Sequence, residues 1–288
     1  MLRSLHRWPG LIAALLLVVL ALSGAALSVF PAIEAVQTPA QTEAGLATAL
    51  EIGRASEGAF DIGLGDVVAA WGFGPDQANE AAIRAALACA RRPAHEMLEL
   101  DATTGRPRKH GPLTLDLSGT AKGYGVDRLA EVAGTFSITG ALVAIDGELR
   151  AIGLQPDGAP WTVAIERPDH GERAPHSIIA LQDAAIATSG DYRHWVEVGT
   201  RKLSQTMDPA GGGPVAAPPA SVTVVAQTCM AADAWATALM VTGRKEGAIL
   251  ALRHNLDVLF IDRDGGHLRT SRVGRLFDTG QRSMEQTT

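Results

Sequence analysis

LDLSGTAKGYGVD, residues 115–127, is the stretch from which the organisation of this chain is read. A strand ending near Asp116 runs into a turn of small residues, and the turn feeds a helix bearing Lys122, Tyr124 and Asp127. At such a junction backbone N–H groups point outward, the helix dipole favours negative charge, and Lys122 adds a full positive charge, which together make an anion site. A glycine turn beside a solvated lysine accounts for the same residues, so the segment alone leaves both readings open.

Further along, TCMAADAWATALMVTG (228–243) sets Asp233 and Thr237 four apart on one helix face. One carboxylate and one hydroxyl there suit a hard cation such as Mg²⁺, which takes few protein oxygens and completes its shell with water and phosphate. An acidic residue near a helix start, with a Thr bonding back to its own helix, is the alternative. AIATSGDYRHW (185–195) reads Ser189, Gly190 and Asp191 as a polar turn. LSQTMDPAGGGPV (203–215) leads from Asp208 and Pro209 into a glycine-rich loop able to lie over a ligand. In GAFDIGLGDVVAAWGFG (58–74), Trp71 and Phe73 flank Gly72 and offer either an aromatic wall for a flat ring or ordinary core packing.

Around these segments the pattern is mixed α and β. Periodicity predicts helices over 44–56, 79–90, 121–133, 231–241 and 245–254. It predicts strands over 97–100, 113–117, 141–145, 161–165, 177–181, 221–226 and 256–261. PAGGGPVAAPPA, residues 209–220, is a loop long enough to be functional. There is no Cys-x-x-Cys pair, His-Glu-x-x-His, phosphate-binding Walker loop or Gly-x-Ser-x-Gly elbow. Cys89 and Cys229 sit far apart in Ala-rich surroundings and read as buried structural thiols rather than a disulfide.

With 288 residues and 47% hydrophobic content the chain can bury one or two sizeable cores, and a net charge of −6 argues against a sequence-independent nucleic-acid binder. LIAALLLVVLALSGAALSVF, residues 11–30, is uncharged and long enough to span a bilayer. Arg3, His6 and Arg7 precede it, so the body is expected outside the cytoplasm, on the periplasmic side of a bacterial inner membrane. The segment around LHRWPG also resembles the membrane helix of PepSY-type proteins. The expected organisation is a cytoplasmic tip and anchor (1–36), a linker (37–43), a globular domain (44–280) and a disordered tail (281–288).

In their order, GAFD with WGFG, DLSGTAKGYGVD, ALVAIDGELRAIG, WTVAIERP, ATSGDYR, DPAGGGPV and AADAWAT resemble the ApbE family of FAD:protein FMN transferases, from about Leu46 to Phe277. The resemblance implies an α+β fold, a mixed sheet with packed helices related to the T-fold. It also implies Mg²⁺-dependent transfer of FMN from FAD to a Thr or Ser hydroxyl of a client flavoprotein of a membrane redox complex, with release of AMP. By the same resemblance Asp233 and Thr237 hold Mg²⁺ with a backbone carbonyl from the Gly119 to Ala121 turn. Asp116, Lys122, Trp71, Gly72, Phe73 and Met207 line the FAD site, and Asp233, Lys122 and Asp208 serve the chemistry.

Two departures stand out. Where the family reads Ser-His, two apolar residues and Asp-Pro, this chain has Ser204, Gln205, Thr206, Met207 and Asp208, and Ala210, Gly211 and Gly212 replace the family's Arg-Thr-Gly. A glutamine neither takes nor gives a proton near neutral pH, so a non-catalytic FAD-binding or scaffold member of the same fold is the alternative function. The apolar segment also stands where the family has a front strand region, and the sheet is expected to lack one or two edge strands.

Overall fold

The computed structural model describes residues 39–73, 77–101, 103–104, 106–169, 173–192, 195–198, 201–265 and 267–277. The anchor and tail read from the sequence lie outside the described residues. Among those that are described, no helix is long and apolar enough to cross a membrane. The chain divides into a unit ending at Ala44 and a second from Gly45 onward, and the architecture belongs to the second.

Helix α1 (Pro39–Ala55) begins inside the stretch read as linker, with proline in the first turn, where its missing N–H costs nothing. Two short helices follow, α2 (Gly65–Ala70) and α3 (Glu80–Ala88), the latter capped by Asn79 accepting from Ala82 N at 2.9 Å. Next come α4 (Ala94–Met97) and the small hairpin β1 (Leu98–Leu100) and β2 (Pro107–Lys109). The LTLDL segment predicted as a strand joins no ladder. Asp116 N donates to Ile62 O at 2.8 Å and Gly65 N donates to Thr114 O at 2.9 Å, so its partners are loop backbone on the α2 side.

Helix α5 (Ser118–Thr135) leads to β3 (Ala141–Ile145) and β4 (Glu148–Ile152), then to the hairpin β5 (Trp161–Glu166) and β6 (Pro175–Leu181). The strand β7 (Ala185–Gly190) absorbs Ser189 and Gly190, which the sequence reads as a turn, because both pair with Ser221 and Val222. Strands β8 (Trp195–Val198) and β9 (Arg201–Ser204) form one hairpin, and the two-residue strands β10 (Met207–Asp208) and β11 (Gly213–Pro214) another. Last come β12 (Ser221–Ala226), α6 (Cys229–Arg253), β13 (Asp257–Asp264) and β14 (His267–Val273). The two helices predicted at the end of the chain are the two halves of α6, which breaks at Gly243 (φ 71°).

An antiparallel sheet in the order β14-β13-β12-β7-β4-β3 organises the domain. Alternation along its strands separates two cores. Val222, Val224, Val258 and Phe260 face α6 and α1, where Leu50, Trp235, Ala238 and Leu239 meet them. Val225, Leu259 and Ile261 face the β5–β6 hairpin, whose Val163, Ile165, Ile179 and Leu181 close the other side. A smaller cluster, with Leu64, Val67 and Met207 buried and Trp71 and Phe73 packed against it, supports the β10–β11 hairpin. The fold is therefore α+β, as expected, but the sheet is not mixed: among the described residues every neighbouring pair of its strands is antiparallel, because hairpins and the returning helix α6 bring each strand back beside its neighbour in the opposite direction. The thiols divide: Cys229 is buried, whereas Cys89 is exposed, and both are free.

Candidate functional site

The site grows from the crossing of α5 and α6. Gly123 makes the approach possible: a Cβ there would lie 2.4 Å from Cys229 O. Two buried carboxylates stitch the contact. Asp127, 6% exposed, accepts from Cys229 N (2.9 Å) and Met230 N (2.9 Å), the unsatisfied donors of the α6 N-terminus, and from Arg150 Nη1 at 2.6 Å. Asp233, 5% exposed, accepts from Gly123 N at 3.2 Å. Burial pushes the Asp233 carboxyl up to about 7, and the nearby Glu148 charge adds to the rise against the opposing Gly123 amide and Lys122.

One turn along α6, Thr237 Oγ1 lies 3.3 Å from Ser189 Oγ on β7. The first turn of α5 packs onto the same spot, since a Cβ at Gly119 would sit 3.3 Å from Thr237 Oγ1 and 3.1 Å from the Phe60 ring. Asp233, Thr237, Ser189 and the Gly119 turn thus gather one carboxylate, two hydroxyls and backbone around a small space. That all-oxygen set matches what Mg²⁺ accepts while keeping waters and phosphate. Among the described residues no group of three or more His, Cys, Asp or Glu is placed to hold a metal ion.

Lys122, from the same helix end, donates to Glu148 Oε1 at 2.7 Å and lies 4.0 Å from Asp146 Oδ2. Burial works to lower the lysine, but the Glu148 bond and charge, with Asp233 and Asp146 behind them, hold it above its ordinary value. It stays a cation at the cleft. Asp116 is tied down locally, accepting from Ser118 N (3.0 Å) and Ser118 Oγ (2.8 Å).

These groups open into a cleft of about 820 Å³. Of the site residues read from the sequence, Asp116, Gly119, Lys122, Phe73, Met207, Asp233 and Thr237 line it, and so does Gln205. Trp71, Gly72, Ala121 and Asp208 do not. Trp71 stands behind the wall, its Nε1 donating to Gly212 O at 3.2 Å and its ring packed on Gly213, so it buttresses the β10–β11 hairpin that presents Met207. Gly72 (φ 78°) turns there, with Ala78 backbone 2.6 Å from where a Cβ would be. Asp208 caps its own turn, Oδ1 accepting from Ala210 N at 3.0 Å. Among the described residues the cleft carries six acidic side chains, Asp61, Asp116, Asp146, Glu148, Glu166 and Asp233, against two basic ones, Lys122 and Arg173.

The sequence profile of the ApbE family matches residues 24–260. This chain belongs to the ApbE family. Relatives include the FAD:protein FMN transferase of Vibrio cholerae, 39% identical over 214 residues covering 74% of this chain and 64% of the relative. That of Escherichia coli K12 is 34% identical over 238 residues, covering 77% of this chain and 65% of the relative. The chain therefore spans about two thirds of their length or slightly less. Among solved structures, the flavin transferase ApbE from Vibrio cholerae superposes with a TM-score of 0.71 at 34% identity, over 83% of this chain and 76% of that one. The ApbE protein of Thermotoga maritima does so with 0.72 at 26% identity, over 84% and 78%.

Within this ApbE fold, several residues at the site were not singled out by sequence reasoning. Phe60 lies in the GAFD motif but is flagged by no spacing rule. Ser189 is named in the sequence only as part of a polar turn with Gly190 and Asp191, and its place on β7 beside Thr237 is not. Glu148 opens a strand, ELRAI, whose Glu and Arg mask its β character; their partners, Lys122 and Asp127, come from α5 and appear only in three dimensions. A charged residue directly after an Asp-Gly turn and heading an apolar run was the one available signal.

Proposed function

We propose that this chain transfers FMN from FAD to a Thr or Ser hydroxyl of a client flavoprotein, using Mg²⁺ and releasing AMP. The observation that carries the reading is that one cleft is lined both by apolar side chains and, among the described residues, by an excess of acidic ones beside Lys122 and Thr237. Phe60, Phe73, Leu64 and Met207 suit a flat ring system, and Lys122 beside the α5 N-terminus suits a pyrophosphate. The six acids against two bases among the described lining residues would repel a doubly charged pyrophosphate unless a cation came with it. Asp233 and Thr237, with backbone of the Gly119 turn, would hold that Mg²⁺. Bound there, the ion would neutralise charge on the pyrophosphate and on the leaving phosphate.

In the transfer, the acceptor hydroxyl oxygen bonds to the FMN phosphorus, the bond from that phosphorus to the bridging oxygen breaks, and AMP leaves with the bridging oxygen and its electron pair. The hydroxyl proton must leave too. Gln205 lines the cleft at the position where the resemblance puts a histidine; it can hydrogen-bond the acceptor but cannot take that proton. Turnover slower than that of a histidine-bearing enzyme, on the order of 10²–10⁴-fold, follows. Asp208 is turned to its own loop and would act by shaping the β10–β11 hairpin. The uncharged segment at 11–30 and the basic residues before it support a tether in a bacterial inner membrane with the body facing periplasmic redox proteins.

The test is FAD turnover by the full chain in detergent with Mg²⁺ and an acceptor domain. AMP appearing in step with covalent flavin fluorescence on the acceptor supports the transfer. FAD binding without AMP, even at stoichiometric enzyme, contradicts it.

A further inference from the structure

Glu148 opens β4 directly after the Asp146–Gly147 turn, where Asp146 (φ 47°) and Gly147 (φ 106°) both take positive φ. The residue is 2% exposed and lines the cleft. Its Oε1 accepts from Lys122 Nζ at 2.7 Å. Its Oε2 is equally buried and has no hydrogen-bond partner among the described residues. Leaving a carboxylate oxygen buried without a donor is costly, and holding Lys122 requires only the other oxygen. The unpartnered atom therefore points to a donor supplied from the cleft.

An ionised carboxylate only accepts, so a phosphate oxygen is repelled there and a hydroxyl or N–H is wanted. Oε2 shares its carboxylate with Lys122, the cation beside which a pyrophosphate would sit. In a flavin dinucleotide gripped at its pyrophosphate, the nearest donors are the hydroxyls of the ribityl chain on one side and of the ribose on the other. The ring N–H groups lie at the far ends. We propose that Glu148 Oε2 binds a polyol hydroxyl of the nucleotide substrate, making Glu148 a substrate-binding and specificity-determining residue. The proposal rests on reading the cleft as the FAD site.

The experiment measures dissociation constants of FAD, FMN and ADP, with Mg²⁺, for the full chain in detergent. Variants are Glu148→Gln, which keeps the shape, and Lys122→Met alone or combined with Glu148→Leu, which removes the buried pair together and so protects folding. Thermal melts confirm that each variant is folded. Glu148→Gln is expected to weaken FAD roughly tenfold or more, the size of a lost charge-assisted bond, and the double variant to bind worse than Lys122→Met alone by a similar factor. One mononucleotide should follow FAD: loss for FMN but not ADP identifies the ribityl chain, and the reverse identifies the ribose. FAD affinity of Glu148→Gln within twofold of wild type, a double variant equal to Lys122→Met, or equal losses for FMN and ADP would each overturn the proposal and leave Glu148 as a tether for Lys122. A wild-type chain that binds no FAD overturns the function proposed above and this assignment with it.

Discussion

Asp127 and Asp233 are buried to nearly the same degree, 6% and 5% exposed, in two regions of the contact between α5 and α6. At the α6 N-terminus Asp127 receives three donors, two amides and a guanidinium. One turn further along, Asp233 receives a single amide at 3.2 Å and is pushed up to about 7. The first carboxylate is answered from within the fold; the second faces the cleft with Thr237 and Lys122 beside it. Equal burial with unequal satisfaction sets a carboxylate that holds the helices together apart from the one that the proposed function assigns to a cation.

The sharpest way to break that comparison is to remove each carboxylate in turn. Asp127→Ala strands two helix N-terminal amides and leaves Arg150 without its partner, and should cost about 3–5 kcal/mol in chemical denaturation. Asp233 works in the opposite sense. Its folded value lies above the ordinary 3.8, so the folded state holds an extra proton between about pH 4 and 7. That stabilising contribution is complete below the unfolded value and is lost as pH rises through about 7. In metal-free protein Asp233→Asn should therefore raise the melting temperature at pH 8, by an amount corresponding to roughly 2–4 kcal/mol, and leave it unchanged at pH 4. A melting temperature that falls equally at both pH values would make Asp233 a second structural carboxylate.

Smaller effects sharpen the picture at the edges of the same contact. Gly123→Ala drives a methyl into Cys229 O and should cost about 1–3 kcal/mol by separating the helices, with Asp233 and Asp127 losing register together. Trp71→Phe removes the bond to Gly212 O together with part of the ring packed on Gly213, and should cost about 1–2 kcal/mol in a thermal melt while weakening FAD binding through Met207.

Legibility followed the same division between local and tertiary causes. Strands 141–145 and 221–226 appear where their apolar runs predict them, because those residues are covered on the spot by α5, α6 and the neighbouring strands. Asp233 and Thr237 are readable as a pair because four-residue spacing fixes a helix face whatever surrounds it. LTLDL has strand composition, yet its backbone partners are loops, which no local pattern encodes. Strand β14, HLRTSRV, escaped notice because it is an edge strand with polar and charged residues on its open face. Asp127 and Glu148 depend on which helix end and which strand meet, so their contrast with Asp233 had no trace in spacing alone.

The proposed function assigns Asp233, which accepts only one long amide bond from Gly123, to a cation. Titrating Mg²⁺ into the full chain at pH 8 while following the melting temperature tests it most directly. A saturable rise is expected for wild type and is lost in Asp233→Asn. No rise for wild type, or an equal rise in Asp233→Asn, would contradict it.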